Sequence, residues 1–216
     1  MCKAPTFFEK ISLFGRKEGK EVIEMTRIRF PRKPPIKQAK EVREIQNLLL
    51  EKAERLLGSR DANYIILDPD FGEGGPIIVF PTVNNDVRAK LSKEAAYYWP
   101  TFVYELSHET VHFLNPVRGP ANWLEEGIAV EFSVKMSKEL TTHSQKPDPK
   151  KQHVFYEAMK MVNRLSSDVF DAAGKIRKET GALSAATFED LQHLFPNLDE
   201  ETLKKLAETF PIRLST

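Results

Sequence analysis

The sequence is poor in cysteine: Cys2 is the only one among 216 residues, so no disulfide can form within the chain. This usage is typical of a reducing compartment, and we expect a cytoplasmic protein unless a signal precedes Met1. Long apolar runs are also lacking, because charged residues interrupt or closely follow the apolar stretch at residues 7–14. The sequence therefore predicts neither a membrane span nor a signal core.

An excess of charge of one sign is absent as well. The chain has 32 Lys or Arg against 31 Asp or Glu, and 41% of its residues are hydrophobic. This composition allows a buried core and excludes a disordered or dedicated nucleic-acid-binding protein. Residues 16–43 hold ten Lys or Arg against four Glu, but they lack the series of aromatic residues that stacks on single strands. We expect solvated helix and linker there, and no nucleic-acid partner.

Glycine and proline are missing from residues 101–114, which favours a helix, and Pro100 suits its first turn. This helix contains the pattern His-Glu-x-x-His, from His108 to His112. Because residues four apart lie on one face of a helix, the two imidazoles can point at one metal ion, with Glu109 beside them. Catalytic zinc usually takes three protein ligands and a water, so a third ligand must come from elsewhere.

The residues after His112 exclude one source of that ligand. In one class of metallopeptidase the motif continues with a glycine and a final His or Asp. Here Asn115 and Arg118 occupy those two positions, and Arg118 is a permanent cation. A loop rich in helix breakers follows, and then a second helical pattern at residues 122–136, which has two adjacent acids near its start.

That second pattern begins with Trp-Leu-Glu-Glu-Gly-Ile-Ala at residues 123–129. It resembles the Trp-Leu-x-Glu-Gly-x-Ala element of the gluzincins, zinc peptidases in which a Glu on a second helix completes a His, His, Glu ligand set. The resemblance implies a compact, minimal gluzincin with one Zn²⁺ held by His108, His112 and Glu126, and with a peptide or protein substrate. Neighbouring helical residues point about 100° apart, so only one of the two acids reaches the metal. We interpret Glu125, in the variable slot, as a first-turn acid favoured by the helix dipole.

Zinc at this site would lower the pKa of its bound water and polarise a substrate carbonyl. Glu109 would then act as general base toward the water and as general acid toward the leaving amine. Members of the family that the chain resembles commonly add a Tyr or His that stabilises the oxyanion; the candidates are Tyr156, which we put forward as catalytic, His153 and His143. Glu105, one turn before the motif, either accepts a hydrogen bond from a ligating imidazole or is a solvated acid, and we favour the second.

The remaining patterns predict an α+β fold. Apolar residues recur at a helical spacing over residues 36–57, and Gly58 ends that helix. Strands are expected at residues 63–68 and 76–82, joined by a glycine-rich loop or hairpin, and at residues 27–30. After the site, a polar loop at residues 137–150 precedes helices at 151–165, 167–180, 187–194 and 199–210, the third of which begins with a capping box at Thr187.

We therefore expect an N-terminal extension at residues 1–35 and a single domain at residues 36–216. Its sheet lies in about residues 36–115 and a mainly helical lobe in about residues 116–216. The resemblance to gluzincins implies that this domain is zincin-like, with a small sheet packed on the metal-site helix. It also implies that the edge strand, at residues 77–80, lies beside the substrate.

Three functions stay open at this point. The favoured one is a zinc-dependent peptidase that hydrolyses peptide bonds with a metal-activated water and Glu109 as general base. The alternative is a regulatory or binding module that has the zincin fold and the metal but little or no hydrolytic activity. The third is a helical protein in which these residues are surface groups without a metal. No motif separates an aminopeptidase from an endopeptidase.

Overall fold

The computed structural model of this protein describes residues 28–82 and 84–211. The strand expected at residues 27–30 does not form over Ile28 to Phe30, and Arg27 lies outside the described residues. The Ile28 N–H instead donates to the carbonyl of Leu140 at 3.1 Å. The ring of Phe30 stacks on that of Trp99, with centroids 5.3 Å apart. Part of the expected N-terminal extension therefore packs on the domain, and the division at residue 35 stays a prediction.

The first long helix, α1 (Ala39–Leu57), follows a 3-10 turn at Pro35–Lys37, so the helix begins three residues later than its apolar pattern. One face is buried, because apolar residues recur there every three or four positions. The helix ends at Gly58, as predicted, where the backbone adopts a positive φ of 91° that glycine tolerates best.

The sheet is built around β4 (Asp86–Leu91), with the shorter strands β1 (Ile65–Ile66), β2 (Asp70–Phe71) and β3 (Ile77–Val79) along it. β1 and β2 pair in parallel with successive parts of β4, and β3 pairs with it antiparallel. The two predicted strands therefore form as shorter strands, but they do not form a hairpin with each other. β3 and β4 form the hairpin, and among the described residues β3 pairs on one side only, as an edge strand does.

β4 was not predicted from the sequence, although this strand has a period-two pattern. Val87, Ala89 and Leu91 are fully buried, and they alternate with the half-buried Asp86, Arg88 and Lys90. This is the pattern of a strand with one face on a core. Each face of β4 has only three residues, and Asp, Lys and Ala are depleted in strands, so propensity gives this strand little support.

The sheet leads directly into the helix that contains the His-Glu-x-x-His pattern. A short helix, α2 (Lys93–Tyr97), is capped by Ser92, whose Oγ accepts a hydrogen bond from the Ala95 N–H at 3.2 Å. Then α3 (Trp99–His112) begins with Pro100 in its first turn, as the sequence predicts. It packs against α1 and β4, with Phe102 and Leu106 fully buried. The metal-site helix thus lies between α1 and the sheet.

The second helix of the candidate site, α4 (Trp123–Leu140), is longer than predicted, so the polar loop expected at residues 137–150 begins only at Thr141. Ser137 is buried in the last turn of α4. The helices that follow form close to where the sequence places them, and Thr187 and Asp190 make the predicted capping box. They are α5 (His153–Val162), α6 (Val169–Thr180), a 3-10 turn at Leu183–Ala185, α7 (Phe188–Leu194) and α8 (Glu200–Ala207).

These elements make an α+β fold, in which a small sheet precedes a mainly helical part, as predicted. Within residues 28–82 and 84–211, no helix combines the length and the apolar character that a bilayer crossing requires.

Candidate metal centre

Two facing helices bring three of the predicted ligands together. His108 and His112 lie one turn apart on α3, and Glu126 lies in the first turn of α4, which packs against α3. His108 Nε2 is 3.2 Å from Glu126 Oε2, and His112 Nε2 is 3.6 Å from Glu126 Oε1. The two imidazole Nε2 atoms are 3.2 Å apart. This group of ligand atoms can hold a metal ion.

The ligand group suits a small ion such as zinc, which binds imidazole nitrogen and carboxylate oxygen at about 2.0–2.2 Å. The two Nε2 atoms are 3.2 Å apart, and they lie 3.2 and 3.6 Å from different oxygens of Glu126. With one ligand atom taken from each residue, the three atoms lie within 4.8 Å of one another. Two nitrogens and one carboxylate also form the donor set of catalytic zinc, with a fourth position for water. The residues present therefore fit the ion that the sequence predicts.

The first turn of α4 is capped from within. The Asn122 side-chain oxygen accepts a hydrogen bond from the Glu125 N–H at 2.8 Å, and its amide group donates to the carbonyl of Leu183 at 3.0 Å. The cap fixes where α4 begins, and therefore where Glu126 faces α3.

Residues near the end of the described chain also hold this turn. The Trp123 N–H donates to the carbonyl of Glu208 at 3.0 Å, and the Phe210 N–H donates to the carbonyl of Ala121 at 2.8 Å. The rings of Trp123 and Phe210 pack edge to face, with centroids 4.8 Å apart. The start of α4 is thus clamped by a segment more than 80 residues away in sequence.

Gly127 lets a third helix approach the site. A Cβ at this position would lie 2.6 Å from the Ala158 carbonyl oxygen and 2.6 Å from Val162 Cγ1, so α5 packs directly on the backbone of α4. This close packing brings Phe155 of α5 against His108, with ring centroids 6.0 Å apart in an edge-to-face arrangement. The glycine next to Glu126 therefore serves helix packing, and α5 covers one side of the ligand group.

Glu125 has a second role that the sequence analysis missed. It is a first-turn acid, as expected, but it is only 4% exposed, and its Oε1 lies 2.7 Å from His112 Nδ1. The carboxylate accepts, so Nδ1 carries the hydrogen of this bond. The spacing could have suggested this contact, since a metal-bound His usually donates its other ring N–H to a carboxylate.

Glu105 accepts hydrogen bonds from Ser92 and not from a histidine, and it is not a solvated acid, so both expectations for it were wrong. Its side chain is buried, and its two oxygens accept hydrogen bonds from the N–H and the hydroxyl of Ser92, at 2.8 and 2.6 Å. Burial raises the pKa of Glu105, although the bonds to Ser92 oppose that change. This acid ties α3 to the start of α2 and has a structural role.

Charge interactions inside the ligand group are strong because the group is shielded from water. Burial alone would lower the pKa of His112, but the carboxylates of Glu126 and Glu125 outweigh it and raise the pKa to about 10 in the metal-free protein. Burial opposes ionisation of Glu126, yet the two imidazoles outweigh it and lower the pKa of this carboxyl group. The metal-free site therefore favours an ion pair between His112 and Glu126, and a divalent cation would replace the proton.

Glu109 is also buried, at 2% exposure, and it does not belong to the group of ligand atoms. Burial raises the pKa of its carboxyl group, and the two histidines only partly offset this effect. A carboxyl group beside a candidate metal site, with a raised pKa, suits a group that takes up a proton and later releases it.

The predicted oxyanion donors are in different surroundings. Tyr156 is half-buried on α5, one residue after the Phe155 that packs on His108, and Lys160 Nζ lies 5.8 Å from its ring centroid. His153 is exposed at the start of α5, and His143 lies beside Tyr98, with ring centroids 6.3 Å apart. The role of Tyr156 stays a prediction.

Neither a family model nor a curated protein nor a solved structure matches this chain in the three comparisons made. Two imidazoles and one carboxylate that can hold a metal ion are what the sequence and structure together establish about its function.

Proposed function

We propose that the protein is a zinc-dependent peptidase that hydrolyses peptide bonds. One observation carries the proposal: His108 and His112 of α3 and Glu126 of α4 bring three ligand atoms within 4.8 Å of one another, in the donor set of catalytic zinc. The identity of this third residue was expected from the resemblance to gluzincins. A solvated surface cluster would not explain the convergence, because the three side chains are only 10–13% exposed.

Bound zinc would lower the pKa of a water molecule and polarise the scissile carbonyl. Glu109 would accept the proton that leaves this water while the water oxygen bonds to the carbonyl carbon. The same carboxyl group then gives the proton to the amine nitrogen as the peptide bond breaks, so one water is consumed and Glu109 returns to its initial state. Its raised pKa favours the first step, because a more basic carboxylate takes up the proton of the water more readily.

The substrate of this proposal is an extended peptide. β3 is an edge strand, its residue Ile77 is 40% exposed, and it lies close to α3. A peptide strand added to such an edge gains main-chain hydrogen bonds without requiring a particular sequence. This placement follows the gluzincin arrangement that the order of elements resembles.

A second candidate is a metal-binding regulatory module with little or no hydrolytic activity. The low exposure of the ligand group and the Phe155 ring against His108 favour it, because both restrict the approach of a large substrate. The two candidates share the metal site and differ in turnover.

The test compares wild type with Glu109→Gln and with Glu105→Gln, which changes a buried acid on the same helix that bonds Ser92. Each protein is purified without added metal, analysed for zinc, and incubated with a peptide library. We expect about one zinc per chain in all three proteins and hydrolysis by all except Glu109→Gln. Stoichiometric zinc with no cleavage by wild type would favour the regulatory module, and an absence of metal would reject both candidates.

A further inference from the structure

We propose that Glu125 is a positioning residue, which fixes the ring of His112 and directs its Nε2 lone pair at the metal. The inference rests on the metal site of the proposed function but not on peptide hydrolysis. It assigns different roles to two adjacent acids: Glu126 binds the ion, and Glu125 orients another ligand.

The hydrogen bond itself determines the tautomer of the ring. Glu125 Oε1 is 2.7 Å from His112 Nδ1, and a carboxylate oxygen can only accept, so Nδ1 carries a hydrogen. In the neutral imidazole the other nitrogen, Nε2, then has the free lone pair. This atom is the one that faces His108 and Glu126. Without the bond, the ring could equally place its hydrogen on Nε2 or rotate about its side-chain bonds.

Glu125 cannot replace Glu126 as a ligand in this arrangement. Its Oε1 lies at the Nδ1 side of the imidazole, whereas the ligand group lies at the Nε2 side. The Asn122 cap also fixes the backbone of Glu125, so its side chain starts from a defined position. The two acids therefore reach opposite sides of the same ring.

A buried cation lines the same cavity as Glu125. The second oxygen of Glu125, Oε2, is buried and has no hydrogen-bond partner among the described residues. Glu125 and Arg177 line the same small cavity, together with Asn115. A buried carboxylate oxygen without a partner is costly, and a nearby positive charge reduces that cost.

Arg177 is held rigidly enough to serve this purpose. Its guanidinium donates to the carbonyl groups of Leu57, Gly58 and Ser59 at 2.5–2.9 Å and to Asn115 Oδ1 at 2.6 Å. These bonds fix the charge between the end of α1 and the loop after α3. They also give Asn115, which stands where another metallopeptidase class has its glycine, a structural role in this chain.

The test uses purified protein that has been stripped of metal and reloaded with zinc. Its zinc dissociation constant is measured by competition with a chromophoric chelator. Glu125→Ala should weaken zinc binding by about 10–100-fold, the usual effect of losing an outer partner of a metal-bound His. Glu125→Gln should lose much less, because its amide oxygen still accepts from Nδ1. The control is Glu105→Ala, which removes a buried acid that bonds Ser92 and should leave the zinc dissociation constant within about twofold of wild type.

A second measurement separates positioning from simple stability. NMR spectra of zinc-loaded protein labelled with ¹⁵N-histidine show which ring nitrogen carries a hydrogen. In wild type and Glu125→Gln we expect a hydrogen on His112 Nδ1 that is protected from exchange with water. In Glu125→Ala we expect the signal of this hydrogen to be lost. Unchanged zinc affinity and an unchanged His112 signal in Glu125→Ala would overturn the inference, even if the melting temperature falls. Failure of wild type to bind zinc would instead overturn the proposed function, so the two failures are distinguishable.

Discussion

His108 Nε2 and Glu126 Oε2 lie 3.2 Å apart, although the two residues belong to different helices and are separated by a loop. The contact joins α3 to α4, and it makes the predicted third ligand a neighbour of the first.

Replacing Glu126 should remove the metal. Glu126→Gln should weaken zinc binding by more than roughly 100-fold, because loss of an outer partner alone costs 10–100-fold. The matched control is Glu131→Gln, a half-buried acid on the same helix that bonds Asn163. Zinc content after dialysis against a weak chelator is the measurement. Retention of one zinc per chain by Glu126→Gln would contradict the ligand assignment.

The metal-free protein should show a pH dependence that comes from the ion pair. The pKa of His112 is raised from 6.5 to about 10, so its contribution to stability is complete below about pH 6.5 and is lost as pH rises through about 10. The pKa of Glu126 is lowered from 4.5, so its contribution is present above pH 4.5 and is lost as pH falls through the folded value.

The pH dependence of the His112–Glu126 ion pair is tested by denaturant unfolding over a pH series, with a chelator present to keep the protein free of metal. The difference in unfolding free energy between wild type and His112→Gln should be largest between about pH 4.5 and 6.5 and should shrink toward pH 10. His193→Gln, which changes an exposed histidine on α7, serves as control and should change the unfolding free energy little. A His112→Gln difference that does not vary with pH would contradict the pairing.

Gly127→Ala should destabilise the protein. The new Cβ would lie 2.6 Å from the backbone oxygen of Ala158, so α4 and α5 must separate, and overpacking of this kind costs about 1–3 kcal/mol. Gly174→Ala on α6 is the matched control, because its Cβ would lie 3.5 Å from the nearest atom, the carbonyl oxygen of Leu56. There the gain in helix propensity, up to about 1 kcal/mol, should dominate. Thermal unfolding of both variants measures the difference, and equal shifts would argue against close packing at Gly127.

The role of Tyr156 can be tested by removing one hydroxyl. If Tyr156 stabilises the oxyanion, Tyr156→Phe should lower kcat by roughly 10²-fold without changing zinc content. Tyr104→Phe is the comparison: this tyrosine lies one turn before His108, and burial, with the charges of Glu105 and Glu131, raises its pKa to about 12. An unchanged kcat in Tyr156→Phe together with a loss in Tyr104→Phe would transfer the role to Tyr104.

The sequence was sufficient to predict the parts of the site that depend on local spacing. The relation of His108 to His112 follows from one turn of helix, and Glu126 follows from the resemblance of residues 123–129 to a known element. Pro100, Gly58 and the capping box at Thr187 also lie where their local preferences place them. These features depend on a few neighbouring residues and on the geometry of a single helix.

The parts that sequence could not provide depend on how helices pack. Glu125 contacts His112 only because α3 and α4 lie face to face. Glu105 bonds Ser92, which precedes α2, and this partner could not be foreseen from local spacing. β4 was missed because its buried residues alternate with charged ones in a segment that propensity alone assigns to a loop. The cation of Arg177 comes from a helix whose sequence gives no sign of a functional role.

Because residues 208–210 contact the start of α4, the candidate metal centre depends on an intact chain far downstream of its ligands. Because the Glu208 carbonyl and the Phe210 ring hold Trp123, a peptidase that nicks the chain between α7 and α8 would release the clamp without touching any ligand. Loss of the metal would then follow from a cut outside both helices that carry the ligands, and inactivation by limited proteolysis would precede general unfolding.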